Sequence, residues 1–506
     1  MNTNKKIGRL IQQVRQQRGL TQAQLAKMMS TSQSAINRIE HGKQNLSLET
    51  VKRFSQVLQQ ALVNFNEKNI SLRINGGRKL AGEATVDSAK NTTLALMFAA
   101  LLNGGRTTLK GASRVEEIFR IIEVFESIGV NVRWVGDDLE IKRPARFDIG
   151  NIDDEACMKT RSAMMLIGPL AGEIRKFTIP FSGGCRLGKR SINAHAYALE
   201  EMGVNINTTD DFYQINSRLR KATRPITMYE SGDTATINVI LAAARVEGPT
   251  LLRMASSNYQ VQDVCVFLKQ LGINAKWLDS SILMIEGRGK LVKKDIDYWP
   301  AEDPVKAMTL IAAAITTDSE ITVKRAPLDF LELELLKINK MGCKTEILKE
   351  YKGRNRQLRL GDVLIRRHGG NLTALEDKIS CRPYPGINID HLPYFVPIAA
   401  TASGTTLIHD WVYENRAIYY TELNRIGADV QLADPHRVYV HGPTKWHAAD
   451  LSCPPAIRPA TVNLIGMLAA PGMSTLRNIY TINRGYENIA KTFNDLGADI
   501  EIIKDI

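Results

Sequence analysis

Six times along most of this chain, a helix-forming stretch ends in an apolar residue and a glycine and runs straight into an alternating strand. The six instances are SIGVNVRWV (Gly129), EMGVNINTT (Gly203), QLGINAKWL (Gly272), KMGCKTEIL (Gly342), RIGADVQLA (Gly427) and DLGADIEII (Gly497). Their glycines are 74, 69, 70, 85 and 70 residues apart. A single apolar-Gly pair is only a helix stop; six at near-constant spacing are a repeat. Between them lies a second element: an Ala/Leu-rich helix, a break and a β-rich segment. Examples are LALMFAALLNGGRTTLKG, INVILAAARVEGPTLLRMA, MTLIAAAITTDSEITVKRA, VPIAATASGTTLIHDW and NLIGMLAAPGMSTLRNI. Each unit therefore reads strand, helix, strand, helix, strand, strand. The Ala/Leu helices have no polar face, so they must be covered on all sides. A period near 70 is too long for a solenoid, so the six units have to pair into larger globular halves. The expected class is α/β.

The rest of the composition narrows the setting. The chain has 506 residues, 44% of them apolar and 24% charged, which excludes disorder over most of its length. No apolar run is long enough to cross a bilayer, and the start, MNTNKKIGRLIQQ, has no apolar signal region. Six cysteines (157, 185, 265, 343, 381 and 453) form no CxxC pair. That pattern fits reduced thiols and a cytoplasmic location; no disulfide framework, metal site or cofactor is expected.

Charge is unevenly distributed. Residues 1–68 hold eleven Lys/Arg against three Glu, which is eight of the thirteen net positive charges. A basic head on a nearly balanced body points to a polyanion partner for the head alone. Within it, Thr21-Gln22-Ala23-Gln24 reads as a capping box opening one helix, Ser30-Thr31-Ser32 as a polar turn, and Gln33–Glu40 as a second short helix. Ser47 would cap a further helix carrying Val51, Phe54 and Leu58. Two short helices across a tight turn in a basic segment form the helix-turn-helix pattern. The stretch GLTQAQLAKMMSTSQSAINRIEHGKQNLSLETVKRF resembles the Cro/C1-type repressor family. The resemblance implies that the helix from Gln33 lies in the major groove of DNA. Gln33, Ser34 and Asn37 would then face base edges, with Gln22, Arg38 and Lys43 near phosphates. It also implies binding as a dimer.

The six-unit body, from about Ser71 to Ile506, resembles the enolpyruvyl transferases, which fold as two inside-out α/β domains of three units each. The resemblance implies one domain from residues 69–89 and 300–506, a second from 90–299, and an active site between them. Local residues match the branch that joins phosphoenolpyruvate to the 3-hydroxyl of UDP-N-acetylglucosamine and releases phosphate, the first committed step of peptidoglycan synthesis. A small, multiply charged donor requires several convergent cations, an acid for the enol carbon and a base for the hydroxyl.

The candidate residues follow. Lys90 and Asn91 open a very apolar helix in VDSAKNTTLALMFAALL, where a lysine opposes the helix dipole and an anion would be welcome. The resemblance assigns Lys90 to the donor and Asn91 to the sugar nucleotide. The stretch Ser182-Gly183-Gly184-Cys185-Arg186-Leu187-Gly188-Lys189-Arg190 fits GxxxxGK on spacing, yet Arg190 stands where a P-loop needs Ser or Thr. In the family it is the closing loop, with Cys185 as general acid and fosfomycin target. Its neighbours Arg186, Lys189 and Arg190 would favour the thiolate. Arg161, Arg190 and Arg484 are assigned to the donor's phosphate and carboxylate, and Arg416 and Arg458 to domain closure. Asp390, in RPYPGINIDHLPYF, is assigned as the base, although a helix-capping aspartate reads the same way from sequence alone. Arg190, Ser191, Asn193, His195, Ser231, Gly232 and Val412 fall at nucleotide-binding positions.

Several positions depart from the family pattern. Ser182 and Ser191 replace usual prolines, and Asn193, Ala456 and Asn483 replace usual aspartates. The acceptor's base and the orientation of Arg458 and Arg484 are therefore open. Two alternatives stand beside the leading one. The body could sense the sugar nucleotide without turnover as part of a transcription factor, or it could serve another nucleotide acceptor.

Overall fold

The computed structural model describes the body from residue 70 to 504, apart from 182, 184–190 and 356–357. In the head it describes residues 20–41 and the isolated positions 8, 11, 12, 15, 50, 53, 54 and 57. The chain divides into two compact units, Met1–Asn69 and Ile70–Ile506. Among the described residues no helix is long and apolar enough to cross a membrane.

In the head, Thr21 caps the helix Gln22–Met28 as a full capping box with Gln24, and Ser32 caps Gln33–Glu40. Ile11, Leu25, Ala26, Met29, Ile36, Ile39 and Phe54 form its core. A buried ion pair lies beside them, in which Arg15 donates to Glu40 at 2.6 and 3.0 Å. The fourth-helix cap at Ser47 lies outside the described residues.

Among the described residues the body contains six separate sheets. All six repeat glycines take positive φ, between 70° and 101°, a region L side chains rarely occupy. Each therefore turns an amphipathic helix into its strand pair. The first strand, Ile70–Gly76, lies between Gly472–Arg477 and Ile500–Lys504, antiparallel to both, with Leu72 opposite Leu476 and Ile502. The start of the body thus completes its last unit. The strand Ile296–Tyr298 pairs in parallel with Arg106–Leu109 and closes a second set of three sheets.

Two cores result. One gathers residues from Leu94 to Tyr298, here called the central half. The other joins Leu72–Val86 to Val305–Ile500, here called the terminal half. The chain crosses between them twice, at 87–89 and 299–303, and the crossings hydrogen-bond to each other: Ala89 N donates to Ala301 O at 2.7 Å and Asp303 N to Asp87 O at 2.9 Å. The Ala/Leu helices run through the middle of each core; in Lys90–Ala100 every residue from Thr92 onward is buried.

One unit departs from the expected pattern. Its sheet, Lys176–Pro180, Val204–Thr208 and Phe212–Ser217, has three described strands rather than four. Where a leading strand was expected, the chain forms the short helix Asp154–Lys159. The buried helix that follows breaks into a 3₁₀ segment, Arg161–Leu166, and a single α-turn, Ile167–Leu170, containing Pro169. Proline removes a helix donor and forces the break. The adjacent Gly168 lets this segment approach the helix Asp233–Ala243, since a Cβ there would lie 2.3 Å from Asn238 O.

Candidate active site

Buried helices of both halves begin at one cleft and bring several of the predicted residues to it. Lys90 is the first residue of Lys90–Ala100, Arg161 starts its 3₁₀ segment, and Gly232 is the N-cap of Asp233–Ala243. From the terminal half, Arg458 is the second residue of Ile457–Ala469, and Asp390 immediately precedes the turns leading into Phe395–Thr401. Helix starts carry exposed N–H groups and partial positive charge, so the arrangement favours anions.

On the central side, Lys90 Nζ donates to Glu117 Oε2 at 2.6 Å, and both side chains are nearly buried. The other carboxylate oxygen of Glu117 accepts from Thr160 Oγ1 at 3.0 Å and Ser162 Oγ at 3.2 Å, the residues flanking Arg161. Burial alone would raise the Glu117 pKa, but the charges of Lys90 and Arg484 outweigh it and bring it down to about 2. Arg484 belongs to the terminal half, so its field on Glu117 crosses the cleft. Asn91 Nδ2 donates to the buried Tyr259 hydroxyl at 3.1 Å.

On the terminal side, Asp390 sits between two arginines. Arg458 Nη2 lies 3.3 Å from Oδ2 and Arg416 Nη1 lies 3.9 Å from Oδ1. Burial pushes this carboxyl up, yet Arg458, Arg416 and, from across the cleft, Lys90 hold it well below the usual carboxylate range. Its side chain is the more accessible of the two site carboxylates, 22% against 10% for Glu117. Arg458 also donates to Tyr486 Oη at 3.3 Å. Arg416 is buried and its fork is occupied: it donates to Asp410 at 2.6 and 2.8 Å and to Ile389 O at 2.7 Å. It braces the segment that carries Asp390.

The nucleotide positions are spread along one side of the central half. Arg161 Nη2 donates to the Ser191 carbonyl at 3.1 Å, and Ser191 Oγ accepts from Asn193 N at 3.0 Å. His195 is buried and neutral, because burial and the charge of Arg161 bring its pKa down to about 3. Its Nδ1 accepts from Asn238 Nδ2 at 3.1 Å, which packs the helix Asn193–Glu200 on Asp233–Ala243. Ser231 and Gly232 are half-buried at the start of the latter helix, and Asn193 is exposed. Val412 is exposed, next to Trp411, whose Nε1 donates to Cys381 O at 2.8 Å. Cys185 and Arg190, with Arg186 and Lys189, lie outside the described residues.

Sequence reasoning missed three groups of site residues. Glu117 reads locally as an ordinary acid in a helix's first turn. The buried Asp410 holds Arg416 and also accepts from Tyr420 Oη at 2.6 Å. Asp233 accepts from Ser256, Asn258 and Gln260. Asn258 in turn accepts from Asn388 Nδ2 at 3.4 Å across the cleft, and Asn388 Oδ1 receives Asp390 N at 2.8 Å.

In the head, Gln33, Ser34, Asn37 and Arg38 are exposed on one helix face. Gln22 is turned inward and donates to Glu40 at 2.8 Å. Lys43 lies outside the described residues.

Two half-barrels of three units, with helix starts and their cations converging on the crossings, define the enolpyruvyl transferase class. The solved enolpyruvyl transferase NikO from Streptomyces tendae shares this fold, with a TM-score of 0.73 at 21% identity over 87% of this chain and all of that one. EPSP synthase from Acinetobacter baumannii gives 0.65 at 19% identity over 86% of this chain and all of that one. Residues 74–493 match the family of EPSP synthase (3-phosphoshikimate 1-carboxyvinyltransferase), and residues 11–62 match a helix-turn-helix family. The chain belongs to the enolpyruvyl transferase family and is an enzyme of it. Its relatives include UDP-N-acetylglucosamine 1-carboxyvinyltransferases from Streptococcus thermophilus (31% identical, 85% of this chain and 99% of that one) and Caldanaerobacter subterraneus subsp. tengcongensis (30%, 85% and 98%). Another, from Bradyrhizobium diazoefficiens, is 29% identical over 85% of this chain and 97% of its own length.

Proposed function

We propose that the body transfers the enolpyruvyl group of phosphoenolpyruvate to the 3-hydroxyl of UDP-N-acetylglucosamine, and that the head binds DNA. The observation carrying the first part is that Lys90 and Arg458, each at a helix start, act with Arg416 on one accessible carboxylate, Asp390, while Arg484 acts from the terminal half on Glu117. Lys90, Arg161, Arg458 and Arg484 take the donor's phosphate and carboxylate. Cys185 delivers a proton to the donor's methylene carbon while the sugar oxygen bonds to C2. Loss of phosphate from C2 and of a proton from the new methyl restores the double bond.

Asp390 receives the proton of the sugar hydroxyl. Held between Arg458 and Arg416, it is only weakly basic. A donor anion that draws Arg458 toward itself releases the carboxylate, so the base is armed only when the donor is present. Closure of the two halves about the paired crossings brings the Lys90 and Asp390 sides onto the substrates. The exposed row Gln33, Ser34, Asn37 and Arg38 supports the DNA reading, since Gln and Asn can pair with adenine edges and Arg with phosphates.

Phosphate release with both substrates, compared between wild type and Cys185→Ser and with and without fosfomycin, tests the enzymatic part. The expected result is release that requires the sugar nucleotide and is abolished in both controls. Binding of the sugar nucleotide without release would instead favour a sensor. For the head, binding of a random-sequence duplex that weakens steeply with salt, and weakens again in Arg38→Ala, is expected.

A further inference from the structure

Tyr229 is 68% exposed, the most exposed large apolar side chain among the described residues, and Tyr197 is 48% exposed. Their rings meet edge to face, with centroids 5.2 Å apart and planes at 71°. Among the described ring pairs it is the one with both members exposed. Rings left in water gain little from burial, so fold stability gives no reason for them to be there.

Their position does. Tyr197 lies one turn beyond Asn193 on the exposed face of Asn193–Glu200. Tyr229 comes two residues before Ser231 and three before Gly232, the N-cap of Asp233–Ala243. The buried His195–Asn238 contact locks these two helices together, and the Arg161–Ser191 bond fixes the chain entering the first. The two tyrosines therefore stand on a rigid base, beside Asn193, Ser231 and Gly232.

We propose that Tyr197 and Tyr229 form an aromatic platform that stacks on the nucleobase of the acceptor, with the Asn193 amide reading the base edge. The proposal rests on the nucleotide-sugar reading above and extends it to how the nucleoside is held. An edge-to-face pair leaves one ring face open to a planar ligand, and base–aromatic stacking tolerates different bases. Asn193 is exposed beside them, so base recognition combines stacking with an amide that both donates and accepts.

The test uses the full chain. Acceptor KM, donor KM and kcat are measured for wild type, Tyr229→Ala, Tyr229→Phe and Tyr197→Ala, and UMP binding is measured by calorimetry on the same proteins. Tyr229→Ala should raise the acceptor KM and the UMP Kd about tenfold. Its kcat and donor KM should stay within about twofold, its melting temperature should be unchanged, and Tyr229→Phe should match wild type. Turnover with the UDP-sugar that is indifferent to Tyr229→Ala and Tyr197→Ala overturns the platform and leaves the enzyme reading intact. Absence of turnover alongside tyrosine-dependent nucleotide binding keeps the platform and overturns the transferase reading. Absence of any nucleotide binding overturns both.

Discussion

The two walls of the cleft solve one electrostatic problem in two ways. Each surrounds a carboxylate with cations delivered by helix starts, and in each the cations win over burial. On the central wall Glu117 is closed off. It takes Lys90 on one oxygen and the hydroxyls of Thr160 and Ser162 on the other, within 3.2 Å. On the terminal wall Asp390 has looser arginine contacts, at 3.3 and 3.9 Å, and a side chain open to the cleft. The difference separates holding from reacting. A carboxylate with filled acceptor sites can only orient what it touches, whereas one held by charge across longer distances can exchange its partners for a substrate.

The largest predicted effect follows from that contrast. Asp390→Asn keeps the shape and removes the base, so kcat for phosphate release should fall by about two to four orders of magnitude while the circular dichroism spectrum stays that of wild type. Glu117→Gln keeps an acceptor for Thr160 and Ser162 but loosens Lys90. Its expected signature is a donor KM raised several-fold, with a kcat loss at least tenfold smaller than that of Asp390→Asn. A folded Glu117→Gln enzyme as inactive as Asp390→Asn would erase the distinction between the walls.

A second contrast lies in stability. Glu117→Ala leaves Lys90 without its carboxylate in a nearly buried site, and breaking such a pair costs about 3 kcal/mol. Denaturant unfolding of the body should show it, with a smaller loss for Glu117→Gln. An Ala variant as stable as wild type would mean that the ion pair is solvated after all.

How much of this was legible in the sequence depended on whether the cause was local. The six glycines were readable because a helix stop followed by a strand is a local event, and the positive φ at each is its local cause. Lys90, Arg161, Asp390 and Arg458 were readable at helix starts, with the family resemblance singling them out from ordinary surface charges. Glu117 was not, because in RVEEIFRIIEVF it passes for a residue complementing the helix dipole. A signal was present nonetheless: Glu117 falls on the same stripe as Ile121 and Val124, where an acid has no business unless a cation meets it. Arg416 read as a closing residue because nothing in the sequence says that Asp410 will fold back onto its guanidinium. The broken helix Arg161–Leu170 was missed for a related reason, since the repeat pattern outweighed the local warning given by Gly168-Pro169.

The smallest predicted effect concerns the helix pair of the central half where His195 is buried neutral against Asn238. Its pKa falls from the ordinary 6.5 to about 3, so between those values the unfolded chain binds a proton that the folded chain refuses. Stability from this group is therefore complete above about pH 6.5 and lost as pH falls toward 3, by at most about 1.4 kcal/mol per pH unit. Other groups pull the opposite way. Burial raises Glu123 to about 7 and Asp263 to about 6, so each binds its proton more readily folded than unfolded and favours the folded state on acidification. The whole-protein slope mixes these signs, and the informative quantity is the difference between wild type and His195→Asn. Melting temperature followed from pH 7 to pH 4.5 should drop more steeply in wild type than in the variant, by a few degrees across the range. Parallel curves would show that His195 takes its proton inside the fold, and that this helix pair is looser than the Asn238 contact implies.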